Sequence, residues 1–305
     1  MKIAESNQFP LHVKNVTHIL ARYDLALRNF NAASTGIENT TLIIDTNKGK
    51  FVLRVYRQRK KDSTEIYREL DFMEYLRANN IKVPRVISNT QGERLTLERL
   101  DDKVWQVIVM EFIEGRHAQT YTPELIIELS STQANMHNLS SSYADKHGVL
   151  EPLTNLEENY FIDQILQERI DRQLQAFLQR AKAYELNLPL ELPKGLCHLD
   201  YDTDNALVSK NSVAAILDFD DLALAPFIVC LGYTLWHVRT EAGEEAAQKY
   251  LENYETQRKL SDLERQFIKP VMLFRHYVIS SVKILNGHTS PEDIMAFLKQ
   301  ESVLT

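Results

Sequence analysis

The sequence predicts an α+β fold in which a small lobe, an antiparallel sheet with one helix, precedes a larger, mainly helical lobe. Three observations carry this. Short β-rich runs come first, at 41–45, 51–56, 94–100 and 104–112. Long helical stretches follow, at 123–139, 156–184, 243–254 and 262–285; the order sheet then helices is that of an α+β chain. The charge changes sign at the same point. Residues 1–113 hold 18 Lys plus Arg against 14 Asp plus Glu, a net of +4, whereas residues 114–305 hold 17 against 28, a net of −11. The expected lobes are therefore 1–113 and 114–305, each long enough to bury its own core.

The 305 residues carry a net charge of −7, with 44% hydrophobic and 25% charged residues, the composition of an ordinary soluble protein. Net acidity argues against a nucleic-acid or anionic-membrane partner. No apolar run approaches membrane-spanning length, and the first fifteen residues lack a signal-peptide core, so a cytoplasmic protein is expected. Two cysteines, Cys197 and Cys230, fit a reducing compartment. Walker-type GxxxxGK, GxGxxG, GxSxG, HExxH and paired CxxC patterns are all missing from the sequence, which removes support for P-loop, serine-hydrolase, zincin and zinc-ribbon chemistry. Nothing in the sequence specifies an oligomeric state.

The strongest local signal is His198-x-Asp200-x-x-x-x-Asn205, followed 13 residues after the Asn by Asp218 at the end of an apolar run. Phosphoryl transfer calls for this set. One carboxylate holds the acceptor hydroxyl in line, while a second carboxylate and an amide oxygen hold Mg2+ on the nucleotide phosphates. Loops also collect Asp and Asn for turn geometry alone. Here, however, the segment lies between apolar flanks, Leu196 and Cys197 before it and Ala206 to Val208 after it, that look like short buried strands. General-base work falls to Asp200, and His198 is read as a buried hydrogen-bonding prop for the catalytic loop.

The small lobe should supply a phosphate anchor. Residues 46–50 read as a hairpin connection, and alternation along the second strand puts Phe51, Leu53 and Val55 on one face and Val52, Arg54 and Tyr56 on the other. A cation amid an apolar strand suits nucleotide phosphates. The next element, 62–79, opens with an Asp62-x-x-Glu65 capping box and turns Ile66, Leu70 and Met73 inward, with Glu69 on the same side as a partner for Arg54. The run Arg57 to Lys61 reads as a solvated loop, and the loop around Gly36 as a weak candidate phosphate cover.

This combination resembles the aminoglycoside phosphotransferase and choline kinase superfamily, the small-molecule relatives of protein kinases. The resemblance rests on the His198 loop and Asp218, supported by the segments 51–57, 68–70, 83–86, 109–115, 136–137 and 216–220. It implies a bilobal protein-kinase-like fold and a phosphotransferase using ATP (or GTP) and Mg2+. Asp200 would then be the base, Asn205 and Asp218 the metal ligands, and Arg54 the phosphate anchor with Glu69 its partner. Glu111 and Ile113 would meet the adenine edge from an inter-lobe hinge. Three residues depart from the family pattern. Leu199 replaces a common glycine, Asp220 replaces the glycine of the protein-kinase metal motif, and Cys230 replaces a structural aspartate. Asp tolerates the left-handed backbone such a glycine would supply. The implied acceptor is a small-molecule hydroxyl on an amino sugar, amino alcohol or homoserine-like compound, bound by helical-lobe residues in 156–184 and 233–277. The alternatives are a protein Ser/Thr kinase on the same fold and a catalytically weak nucleotide-binding regulatory module.

Overall fold

A computed structural model describes residues 12–33, 39–56, 61–100, 103–147 and 188–285. The leading elements are α1 (Val13–Ala21), β1 (Leu27–Ala32), β2 (Thr40–Thr46), β3 (Gly49–Val55), α2 (Ser63–Ala78), β4 (Val86–Ile87), β5 (Thr96–Leu100) and β6 (Lys103–Glu111). A six-stranded antiparallel sheet runs in the order β1-β2-β3-β6-β4, with β5 also on β6. The expected hairpin closes at Thr46 and Gly49, whose φ of 114° suits a residue without a Cβ. The Thr46 hydroxyl donates to Gly49 O at 2.8 Å and accepts from Lys48 N–H at 3.1 Å, which sets the turn and hence the register of β3.

That register decides which side chains face the chemistry. Leu53 and Val55 join Leu42, Ile44, Trp105, Val107 and Val109 in one core with Val16, Ile19 and Leu20 of α1. Arg54 and Tyr56 point the other way, toward α2. α1 leaves little trace in the sequence: its apolar positions Val16, Ile19 and Leu20 sit at helical spacing but span only a little more than one turn. The capping box of α2 is formed: Glu65 N–H donates to Asp62 Oδ1 at 2.9 Å and Asp62 N–H to Glu65 Oε2 at 2.7 Å.

The compact units cut the chain differently from the expected 113/114 boundary: Met1–His117 with Ala206–Asp220, and Ala118–Asn205 with Asp221–Thr305. Pairing explains the difference. β7 (Arg116–His117) pairs with β9 (Ala206–Ser209), which forms a hairpin with β10 (Ser212–Ile216). Ile216 N–H donates to Lys82 O at 2.8 Å, and Lys82 Nζ to Val213 O at 2.7 Å. The segment ending in Asp218 and Asp220 is thus built into the first unit, not the helical one.

The second unit contains α3 (Pro123–His147), β8 (Lys194–His198), β11 (Leu222–Pro226), α4 (Phe227–Ala242), α5 (Glu244–Gln257) and α6 (Asp262–Leu285). β8 pairs antiparallel with β11, placing His198 opposite Leu222. α3 packs on α5, and α4 on α6. Gly232 of α4 permits the close approach of Val271: a Cβ there would lie 2.5 Å from that side chain. The sequence reading missed α4, because Phe227 to Trp236 are buried all round and give no amphipathic period. The expected helix at 156–184 lies outside the described residues, as do 34–38 around Gly36, 57–60 of the basic run and the first eleven residues. Among the described residues no helix is long and apolar enough to cross a membrane.

Candidate active site

In the first unit, alternation along β3 and the helical spacing of α2 bring Arg54 and Glu69 to one place, as expected. Their closest atoms are 3.8 Å apart, a loose pair. Two tighter contacts surround them. Arg54 Nη2 donates to Asp218 Oδ1 at 2.7 Å, and Lys61 Nζ donates to Glu69 Oε2 at 3.0 Å and to Asp220 Oδ1 at 3.2 Å. Tyr56 O–H also donates to Glu69, at 3.0 Å, and the Asn39 amide donates to Asp220. Burial works against the Arg54 charge, but Asp218, Asp220 and Glu69 outweigh it and hold the guanidinium above its ordinary pKa. Burial raises the Glu69 carboxyl, with Lys61 and Arg54 opposing it.

Asp218 has φ 55°, a left-handed backbone seldom adopted by a non-glycine residue. The sequence reading assigned such angles to Asp220. Asp220 lies instead in a short 3-10 turn, Phe219–Asp221, and the strained position falls on Asp218 itself. Sparse backbone angles of this kind cluster at functional sites.

In the second unit, Asp200 lies in the turn that follows β8, two residues after His198. Asn205 Nδ2 donates to Asp200 O at 2.8 Å and to its Oδ2 at 2.9 Å, closing the segment 200–205 onto the carboxylate. This use of the nitrogen leaves Asn205 Oδ1 as the atom available to a cation. Arg275, a residue the sequence reading did not single out, donates from Nη2 to Asp200 Oδ1 at 3.2 Å. Its guanidinium lies over the Tyr233 ring, 4.7 Å from the centroid, and Nη2 is 3.4 Å from His237 Nε2. His237 Nδ1 faces Glu241 at 3.6 Å and Asp202 at 3.8 Å. Burial, then the Asp200 charge, pushes the Asp202 carboxyl up to about 6, with His237 opposing.

His198 is buried, as expected of a prop, and its carbonyl accepts a hydrogen bond from Cys230 S–H at 3.1 Å. Its ring meets Tyr201 edge-on at 5.8 Å, and Tyr201 O–H donates to Leu129 O at 3.0 Å. Glu111 ends β6. Its N–H donates to Arg85 O at 2.9 Å, and its carboxylate accepts from Arg85 N–H at 2.7 Å and faces Arg77 at 3.6 Å. Ile113 follows two residues later and is half-buried.

These residues fit a nucleotide and a hard divalent cation. Arg54 Nε is buried with no hydrogen-bond partner among the described residues, which suits an incoming anion. Asp218 of the first unit and Asn205 of the second each carry an oxygen of the hard kind that Mg2+ prefers.

Comparison with known proteins gives the lineage. The curated relatives include a homoserine kinase of Gluconobacter oxydans, 25% identical over 266 residues that cover 84% of this chain and 82% of the relative. Another, from Afipia carboxidovorans, is 24% identical over 81% of this chain and 76% of its own. Among solved structures, the amicoumacin kinase hAmiN in complex with AMP-PNP, Ca2+ and Ami matches with a TM-score of 0.75 at 19% identity, over 95% of this chain and 92% of that one. Choline kinase from Cryptosporidium parvum matches with a TM-score of 0.66 at 15% identity, over 96% of each chain. These two likenesses are of fold, and they bear out the protein-kinase-like architecture. The model of the phosphotransferase enzyme family matches residues 29–265. That match spans well over half of the chain, and the protein belongs to the phosphotransferase enzyme family.

Proposed function

We propose that this phosphotransferase is an ATP- and Mg2+-dependent kinase that moves the γ-phosphoryl group to a hydroxyl of a small molecule, with Asp200 as the base. The observation that carries the reading is the grip of Asn205 on Asp200. The same amide binds the backbone and the carboxylate of Asp200, so the base is held in one orientation before any substrate arrives. The acceptor hydroxyl donates its proton to the Asp200 carboxylate as its oxygen bonds to the γ-phosphorus and the bond to the β–γ bridging oxygen breaks, releasing ADP. Arg275 keeps a positive charge at the other oxygen of that carboxylate.

Asp218 and the Asn205 amide oxygen are the metal ligands in this reading, and Arg54, backed by Glu69, meets the nucleotide phosphates. A cation held there would supply positive charge against the phosphate oxygens. Glu111 and Ile113 are the residues at the adenine edge. The named activity of the curated relatives and the acidic group Asp202, Glu241 near His237 support an acceptor that carries an amine, such as an amino alcohol or a homoserine-like compound.

The test is a screen of purified protein with ATP–Mg2+ against hydroxy amino acids, amino alcohols and amino sugars, following ADP release. Acceptor-dependent ADP is expected with at least one of these amine-bearing alcohols. ADP release that no member of the panel stimulates would overturn the reading.

A further inference from the structure

The basic run Arg57 to Lys61 reads in the sequence as a solvated loop, but Lys61 is not solvated. Its side chain is 12% exposed, and its ammonium spans two carboxylates, Glu69 at 3.0 Å and Asp220 at 3.2 Å. Burial works against the charge, and the two carboxylates more than restore it, so Lys61 remains an ammonium. Its backbone sits immediately before Asp62, the N-cap of α2, where the capping box fixes the chain. Lys61 therefore ties the start of α2, the middle of α2 at Glu69 and the turn after β10 at Asp220.

This changes what Arg54 is asked to do. Glu69 is 2% exposed at its side chain, and a carboxylate so buried needs a counter-ion and hydrogen-bond donors. Lys61 and Tyr56 supply both at 3.0 Å, while Arg54 is 3.8 Å away and turned to Asp218 at 2.7 Å. With Glu69 already compensated, Arg54 can leave Asp218 for an incoming phosphate without stranding a buried charge. Asp220, held by Lys61 and Asn39, is likewise kept from competing with Asp218.

We propose that Lys61 is a positioning residue for the nucleotide–metal end of this enzyme, holding Glu69 and Asp220 so that Arg54 and Asp218 are left for phosphate and metal. The proposal rests on the kinase reading for its consequence in turnover, but not for its consequence in binding. The test is therefore a titration of the full-length protein with Mg2+–ADP and, separately, with adenosine, for wild type, Lys61→Met and Lys61→Arg, each checked by thermal melting. Lys61→Met is expected to weaken Mg2+–ADP by about tenfold or more, the scale of losing a charge-assisted buried hydrogen bond, and to leave adenosine within about twofold. Lys61→Arg, which keeps the charge, is expected to recover most of the loss. Where Lys61→Met does not fold, Lys61→Gln takes its place with the same expectation.

Unchanged Mg2+–ADP affinity, or equal losses for Mg2+–ADP and adenosine, would overturn the proposal. So would Lys61→Arg failing as badly as Lys61→Met. In turnover on whichever acceptor the screen finds, the KM for ATP–Mg2+ should rise while the KM for acceptor stays put; a rise confined to the acceptor KM would also overturn it. The titration needs no acceptor, so it reads Lys61 even if the screen contradicts the kinase reading.

Discussion

The thiol of Cys230 donates a hydrogen bond to the backbone carbonyl of His198 over 3.1 Å, in the buried interior of the second unit. The resembled superfamily has a structural aspartate at this position. A thiol supplies one donor to the last residue of β8, two residues before Asp200. Gln133 Nε2 lies 3.4 Å from the same sulfur and donates to Thr234 Oγ1 at 2.7 Å, so the support is part of a small buried polar network.

Removing that donor should loosen the loop. Cys230→Ala is expected to cost about 1–3 kcal/mol, the penalty of an unsatisfied buried carbonyl together with a small cavity. In a thermal melt that is a drop of several degrees. Cys230→Ser keeps a donor and should lose less. Equal losses for the two variants would mean that volume, not the hydrogen bond, is what matters.

Arg275 is expected to act on turnover rather than on nucleotide binding. It touches Asp200 and His237 and stacks on Tyr233, all within the second unit. Arg275→Met should lower kcat by about 10- to 100-fold, the scale of a lost charge-assisted contact that orients a base. Mg2+–ADP affinity should not change. A loss of nucleotide affinity with kcat intact would reassign Arg275 to the nucleotide.

Several buried tyrosines, Tyr23 among them, should make stability fall at alkaline pH. Tyr23 packs in the core of the first unit and bonds Thr96 Oγ1 at 2.9 Å, and burial raises its hydroxyl from 10.0 to about 12. Between those values the unfolded chain has released the proton and the folded one still holds it. The unfolded state thus binds fewer protons, and stability falls as pH rises. Two pH units correspond to up to about 2.7 kcal/mol. Tyr23→Phe has no proton to release, so its stability should fall less steeply than wild type from pH 10 to pH 12. Parallel curves in denaturant melts would contradict this.

Local pattern made part of the site readable and left part of it hidden. Arg54 and Glu69 were legible because strand alternation and helix spacing each fix a side chain's direction from neighbours a few residues away. The Asp200 loop was legible because its groups lie within eight residues of one another, from His198 to Asn205. Lys61 was misjudged because its partners, Glu69 and Asp220, include one 159 residues distant. Arg275 was missed for the same reason: it sits 75 residues from Asp200, on a helix where an inward arginine looks like any other polar position. Asp218 stands out in the sequence, but its place in the first unit does not. The strand pairing of β7 with β9, two residues against four, is too short to register in a pattern.

The Arg54–Asp218 contact gives the metal end its own check. Arg54→Ala should weaken ATP–Mg2+ more than adenosine, by about tenfold or more, as expected for a buried guanidinium that meets phosphate. Equal weakening of both ligands in a binding titration would make Arg54 structural.

In the proposed reaction Asp200 is the base of the phosphoryl transfer. The direct measurement is acceptor-dependent ADP release by wild type and by Asp200→Asn, side by side, with Mg2+–ADP binding recorded for both. The amide preserves shape and one acceptor atom but takes no proton. Turnover is expected to fall by about 10²- to 10⁴-fold while nucleotide binding stays intact. Acceptor-dependent turnover equal to wild type would contradict it.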